Sequence, residues 1–469
     1  MHEATPTLLR RVNLLEAAAR PARSADVLIR NGRIESLGPV GTTAPAPAVA
    51  AGIDPTARAD STATADPTPT AEPGTNPAGW AAAGLRVVAA DHLWLAPPLV
   101  DPHSVLEEPL LGRAETLASL AEAAALGGYG SVALLPWGSP WRDRPDQLGL
   151  HWREPLRLHL WGSFSQGGAD AALAGHGDQL QAGAIGLAAT AALPPVALLE
   201  RGLRLGELGD RPLLLAPRDP SLSRGGFVRE RVEALRAGWP TDPVLSETLP
   251  LETLLALAAA LPAASLRLMN LSTAEAVQRL EREPCPPPAS VCWWHLLADS
   301  GNLDPADQGW RLEPSLGGPA DRAALITALE TGLISSVAVH HQPLDHEEML
   351  LSPDQRRCGL AGHRRAGQAG VLPALWRELV QRHHWPPQRL WERLCWGPAR
   401  FLGLEPERLQ PGSRRWILFD PTAGTDGELQ PRGSLAANHG VPPGGGQGAI
   451  VASGLRGAAG WWAPGFPSC

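Results

Sequence analysis

The chain has 469 residues and a formal net charge of −8, and every one of its 40 basic residues is arginine. Without lysine there is no Schiff-base or pyridoxal chemistry, no P-loop lysine and no carbamylated lysine bridging two metals. Mild acidity with arginine scattered along the chain gives no reason to expect a nucleic-acid or anionic-membrane surface.

Five cysteines (Cys285, Cys292, Cys358, Cys395 and Cys469) are an odd number without C-x-x-C spacing and read as reduced cytosolic thiols. Charges punctuate the N-terminus, so it lacks a signal-peptide core. The longest apolar run, Leu249 to Met269, is broken by Glu252, Arg267 and prolines and is no membrane span. The expectation is a soluble cytoplasmic protein with no membrane or nucleic-acid partner.

In chain order, Asp26–Gly38 places two apolar strands around Asn31-Gly32 and reads as a tight β-hairpin, because both turn residues tolerate positive φ. Residues 41–83 are rich in Pro, Ala and Thr and too poor in bulky apolar side chains to offset their ordering entropy, so a disordered insertion is expected. Leu85–Val88 reads as a strand returning to the hairpin. Apolar runs follow near 95–103, 131–137, 156–162, 184–189, 212–217, 266–271, 289–295 and 335–341. Helical periodicity separates most of them, as in Glu115–Leu126, Arg229–Arg236, Thr273–Glu283 and Asp321–Glu330.

Eight apolar strands alternating with helices predict an α/β fold, a (β/α)8 TIM-like barrel, with a doubly wound sheet as the alternative. Two further helices are expected over Ala374–Arg382 and Gln388–Leu394. Strands at Trp416–Phe419 and Ala449–Ala452 would join the N-terminal strands in a small β-sandwich. The expected organisation is 1–93 and 406–469 for the two parts of the β domain, with the barrel over 94–405.

Leu93-Trp-Leu-Ala-Pro-Pro-Leu-Val-Asp-Pro-His103, Glu107-Glu-Pro109, Asp219-Pro-Ser-Leu-Ser-Arg-Gly-Gly226, Asn270-Leu-Ser-Thr-Ala-Glu-Ala-Val277 and Gly397-Pro-Ala-Arg-Phe-Leu-Gly-Leu404 are among the most distinctive segments of the chain. They resemble segments of dihydroorotases and related cyclic amidohydrolases. The resemblance implies a barrel whose zinc ions, held by imidazoles and carboxylates at strand C-termini, activate water against a cyclic amide. By the same resemblance, the first-strand His-x-His becomes His103-Ser-Val105, and Glu107 replaces a substrate-binding arginine. The fourth-strand bridging position falls on Ala188-Ala-Thr190. The fifth- and sixth-strand histidines fall on Ala216 and Asn270, the eighth-strand Asp on His340, and a second substrate motif reads Glu313-Pro-Ser-Leu-Gly317.

Asp101, His103, Asn270, His295 and His340 are thus vestigial site positions, with His103 and His340 as the remaining metal-ligand candidates. Two imidazoles fall short of the three protein ligands of a catalytic zinc site. The resemblance therefore implies a non-catalytic protein without cofactor, a structural or regulatory partner of aspartate carbamoyltransferase within a homo- or hetero-oligomer in pyrimidine biosynthesis. The alternative is a hydrolase of a cyclic amide or ester, with zinc or an acid–base pair rebuilt around His103 and His340. His341 and His346 also follow the eighth strand, beside Asp345, Glu347 and Glu348. Neighbouring strand residues point to opposite faces, so at most one of His340 and His341 enters the barrel. Cys292, His383-His384 and Gly444-Gly-Gly446 read as a buried apolar thiol, a loop pair and a flexible turn.

Overall fold

The structure is a computed structural model; it describes residues 5–18, 20–41, 84–108, 112–153, 155–302, 312–351, 370–424, 434–438, 447–457, 459–464 and 466. The expected insertion at 41–83 lies almost wholly outside these residues, as do Pro109, Cys358, Gly444-Gly-Gly446 and Cys469.

The N-terminal strands are β1 (Thr7–Leu14), β2 (Arg23–Arg30), β3 (Arg33–Gly38), β4 (Arg86–Ala89) and β5 (Trp94–Ala96). The hairpin forms where the Asn-Gly pair predicts it: Asn31 has φ 49° and Gly32 φ 71°, between antiparallel β2 and β3. A Cβ on Gly32 would also lie 2.6 Å from the Gly460 nitrogen, so the turn requires glycine twice over. β1 has no counterpart in the sequence reading, because Arg10 and Arg11 interrupt its apolar pattern. β4 pairs in parallel with β1 and not with the hairpin.

The main α/β region contains β6 (Leu99–Ser104), β7 (Tyr129–Leu134), β8 (Arg157–Leu160), β9 (Gly162–Ser163), β10 (Leu187–Ala188) and β11 (Leu213–Leu215). After β12 (Val228–Arg229) and β13 (Thr241–Asp242) come β14 (Leu266–Leu268), β15 (Ser290–Cys292) and β16 (Ser336–Ala338). Each of the eight expected apolar runs contributes a strand, although Trp293–Leu296 is a 3-10 turn and not the end of β15. The strands form parallel arcs β6-β7-β8, β9-β10-β11-β14 and β15-β16, not the closed ladder expected of a barrel. Most of these strands are only two to four residues long, and the β6–β7 register shifts around Gly130 and Pro102.

The arcs nevertheless follow one another. Trp161 N–H bonds Leu134 O at 3.0 Å, Leu268 bridges Ala289 in parallel, and Val105 N–H donates to His341 O at 2.7 Å between β6 and β16. Helices Leu117–Leu126, Val196–Arg204, Leu245–Ala260, Ala274–Arg282 and Pro319–Thr331 lie between the strands. Helix Ala274–Arg282 starts at Thr273, whose hydroxyl accepts from Ala276 N–H and satisfies an orphan donor of the first turn. The two late helices carry π-helical turns over Trp376–Arg382 and Glu392–Trp396.

β17 (Ile417–Gly424), β18 (Gln447–Ser453) and β19 (Trp461–Trp462) return to the N-terminal strands. They form one eight-stranded sheet in the order β19-β18-β17-β5-β1-β2-β3, with β4 beside β1. One sheet uniting both chain ends replaces the expected two-layer sandwich among the described residues. Leu9, Val12, Val27, Ile29, Leu95, Trp416 and Leu418 pack on it as a core separate from the main one.

Candidate active site

His103 lies near the C-terminal end of β6, and His340 lies just past β16 with φ 50°. Their Nδ1 atoms are 3.1 Å apart, and the rings meet edge to face with centroids 5.1 Å apart. His103 Nε2 is 2.9 Å from Ser290 Oγ, and His340 Nε2 is 2.8 Å from Gln342 Nε2. One proton assignment satisfies the whole chain. Gln342 donates to His340 Nε2, His340 Nδ1–H donates to His103 Nδ1, and His103 Nε2–H donates to Ser290 Oγ. Ser290 in turn donates to Leu268 O at 3.3 Å.

Both rings are neutral in this arrangement, as burial requires. Burial and the charge of His340 hold His103 well below its ordinary pKa, and burial pushes His340 down to about 3. Every ring nitrogen already has a partner, so the two imidazoles do not converge on a common point. Among the described residues no group of three or more His, Cys, Asp or Glu side chains could hold a metal ion.

The positions that by resemblance correspond to the missing ligands are filled with hydrocarbon. Val105, Ala188 and Ala216 pack in one buried cluster with Trp137, Trp161, Leu214 and Met269. The Trp137 indole donates to Ala189 O at 2.9 Å and stands edge-on to His340 at 6.0 Å. The Trp161 indole donates to Pro102 O at 3.0 Å. The residues present therefore do not fit a zinc ion.

The other candidates separate. Asp101 is fully buried, accepts from Val339 N–H at 3.1 Å and from the Ser104 hydroxyl, and is pushed up to about 7 by burial. It ties β6 to β16 from beneath. His295 Nε2–H donates to Pro314 O, 3.1 Å away, and burial lowers it to about 4. His341 lies beyond the end of β16 and makes a separate contact, its Nε2 3.2 Å from Glu115 Oε2. Burial alone would raise Glu115, but His341, Ser119 and Ser434 outweigh it and hold the carboxylate below its usual range.

His346 is exposed at the start of helix His346–Leu350, whose N-cap is Asp345. Of His103, His295, His340, His341 and His346, only His103 and His340 bond to each other, with His295 close enough to lower His340 electrostatically. Cys292 is buried and pushed up to about 12, an apolar thiol as expected.

Beside His340 a cavity of about 320 Å³, open mouth included, is lined by Trp137, Arg218, Asn270, Glu313, Glu247 and Arg229 among others. Asn270, at φ 52°, is 4% exposed, and neither amide atom of its side chain has a partner. Glu313 forms an ion pair with Arg218; burial raises this carboxyl and Arg218 opposes the rise. Arg229 is fully buried between Asp242 (3.1 Å) and Glu247 (3.3 Å) and also donates to Ser246 and Ser272. Glu247 accepts Ser272 N–H at 2.7 Å, which fixes the Asn270 loop.

The sequence placed Glu313 in a substrate motif only through the resemblance and gave no sign of Glu247, yet both reach the mouth. Each is balanced by an arginine. The Arg218–Glu313 pair joins positions 95 residues apart, and no local pattern announces it.

Segment 434–438 crosses the same loops. Asn438 is fully buried, accepts Leu344 N–H at 2.9 Å and donates to Gln342 O at 2.7 Å, holding the residue that caps His340.

No protein-family model matches the chain. A "Probable dihydroorotase-like protein" of Synechocystis is 34% identical over 378 residues, covering 72% of this chain and 83% of that protein. The chain belongs to the dihydroorotase-like cyclic amidohydrolases. A dihydroorotase of Syntrophobacter fumaroxidans is 30% identical over 333 residues, covering 69% of this chain and 74% of that one. Among solved structures, the L-hydantoinase (dihydropyrimidinase) of Arthrobacter aurescens superposes with a TM-score of 0.69 at 16% identity, covering 95% of this chain and 94% of its own. A dihydropyrimidinase of Brevibacillus agri gives a TM-score of 0.69 at 16% identity over 96% of this chain and 94% of its own. At these identities the two structures establish the fold. Among the described residues no helix is long and apolar enough to cross a membrane.

Proposed function

We propose that this cyclic amidohydrolase relative does not hydrolyse a cyclic amide through metal-bound water. The observation that carries this reading is the mutual hydrogen bond of His103 and His340 beneath a lid of Trp137, Val105 and Ala216. A catalytic zinc needs three protein ligands converging on an open position, and here two imidazoles spend their lone pairs on each other and on their neighbours. The three parallel arcs would form the wall of the family's (β/α)8 barrel, with the mouth retained as a binding cavity. A structural or regulatory role follows, and the family resemblance supports aspartate carbamoyltransferase as the partner, in pyrimidine biosynthesis. Unpaired Cys285, Cys292 and Cys395 support a cytoplasmic setting.

Purified protein incubated with zinc and then dialysed is expected to retain no stoichiometric metal and to leave dihydroorotate unchanged. Stoichiometric zinc together with turnover overturns the reading. Co-purification from the native source is expected to bring down aspartate carbamoyltransferase, and a native preparation free of it removes that partner.

A second reading has one observation in its favour: Glu313, Glu247 and His340 line one cavity, so acid–base groups converge without a metal. It predicts hydrolysis of some hydantoin or lactone that His340→Ala abolishes. Indifference of a whole substrate panel to that change sinks it.

A further inference from the structure

A second cavity lies at the other end of the strands. It measures about 890 Å³ with its open mouth and is lined by Arg33, Pro155, Arg157, Glu407, Arg408, Ser413, Arg414 and Arg415. Five arginines face one carboxylate in a chain whose net charge is −8. Arg33 opens β3, Arg157 opens β8, and the other three precede β17, so the cleft sits where the terminal sheet meets the N-terminal ends of β7 and β8.

The arginines divide into two groups. Arg415 is structural: it donates to Gly130 O at 2.9 Å, Ser131 Oγ at 3.0 Å and Pro155 O, and pairs with Glu407. Arg157 shares the same Glu407 at 3.1 Å. Among the described residues the one carboxylate of the lining is therefore taken twice. Among the described residues Arg33 and Arg414 reach only backbone carbonyls, Gly412 O at 3.2 Å and Gly457 O at 2.7 Å. Arg414 Nε is buried without a partner, and Arg408 makes no hydrogen bond or ion pair among the described residues. The excess charge is felt inside the fold: burial, then Arg415 and Arg157, push the neighbouring His159 down to about 4.

We propose that this cleft binds a small molecule carrying two or more linked phosphate groups. Guanidinium groups present rigid forks of N–H donors that match phosphate oxygens two at a time. Here they are spread over several walls of one concavity, which suits an extended polyanion better than a single small ion. A long nucleic acid is disfavoured because the acidic remainder of the surface repels it beyond the cleft. The site lies away from His103 and His340, so it stands whether or not the mouth is catalytic. An anion bound here bridges the terminal sheet and the α/β region, the two bodies the cleft separates.

Calorimetric titration of the full-length protein with inorganic tripolyphosphate tests this. The expected result is saturable one-to-one binding that weakens as salt screens the arginines. Arg408→Glu and Arg33→Glu, both at exposed positions, are expected to weaken it at least about tenfold each. Arg236→Glu, an exposed change on a distant helix, is expected to leave it unchanged. Orthophosphate is expected to bind far more weakly than tripolyphosphate. Absence of saturable binding, wild-type binding by both Arg408→Glu and Arg33→Glu, or equal affinity for orthophosphate overturns the proposal. Tighter binding of a short oligodeoxythymidine than of tripolyphosphate also overturns it.

Discussion

The two sides of the strand mouth keep polar groups dry by opposite means. On the side of β6 and β16, His103, His340, Ser290 and Gln342 form a chain of neutral hydrogen bonds capped by Trp137. On the side of β12 to β14, Arg229 and Arg218 meet Asp242, Glu247 and Glu313 as buried or nearly buried ion pairs. The first side has discharged itself: its imidazoles cannot hold protons near neutral pH, so burial costs little. The second side keeps full charges and depends on every partner being present. The side occupied by hydrocarbon is where the resemblance places metal ligands; the charged side shapes the remaining cavity.

Removing one partner of the charged side should have the largest effect. Arg229→Ala leaves Asp242 and Glu247 buried without a cation, a loss of about 3–5 kcal/mol measured as a lowered urea midpoint at constant slope. A loss below about 1 kcal/mol would mean that the network is hydrated and the contrast between the sides is false.

On the neutral side the main term is packing. Trp137→Ala removes a 5% exposed indole and its bond to Ala189 O, for about 3 kcal/mol. The same variant is expected to expose His340 and raise its pKa, which NMR titration of the imidazole reads directly. An unmoved His340 would show that the indole does not dehydrate it.

A separate effect is the pH dependence. Folded His295 and His340 titrate near 4 and 3, against 6.5 for ordinary histidine, and His103 is lowered as well. As pH falls below about 6.5 the unfolded chain takes up protons that the folded chain refuses, so stability falls on acidification. Asp101 works against this slope. Folded, it keeps its proton up to about 7, whereas an ordinary Asp loses it near 3.8. Stability from this group therefore declines as pH rises between those values. Asp101→Asn is expected to make the rise of the urea midpoint between pH 4 and 6.5 steeper. An unchanged or shallower rise would place Asp101 in a more hydrated setting.

Much of this was legible in the chain. Asn31-Gly32 specified a turn by its φ preferences alone, and each of the eight apolar runs holds at least one strand because buried parallel strands tolerate few polar residues. His340 and His341 make separate contacts, with His103 and Glu115, but both lie beyond β16 with His340 at positive φ, so strand alternation is not what separates them. Illegible were β1, hidden by two arginines, and the single sheet that replaces a sandwich, since pairing partners lie hundreds of residues apart. The mutual bond of His103 and His340 was equally hidden, because it depends on a positive φ at His340 that no neighbour announces.

Composition settled what the protein cannot use, and order along the chain settled which elements it forms, because both are local properties of side chains. Arginine is the instructive case. Along the sequence it is scattered and suggested no charged surface, yet folding gathers Arg33, Arg157, Arg408, Arg414 and Arg415 into one cleft and buries Arg229 between two carboxylates. Charge density is a property of distance in space and falls off within about 10 Å at ordinary ionic strength. Only the tertiary structure decided which charges stand together and which histidines face each other.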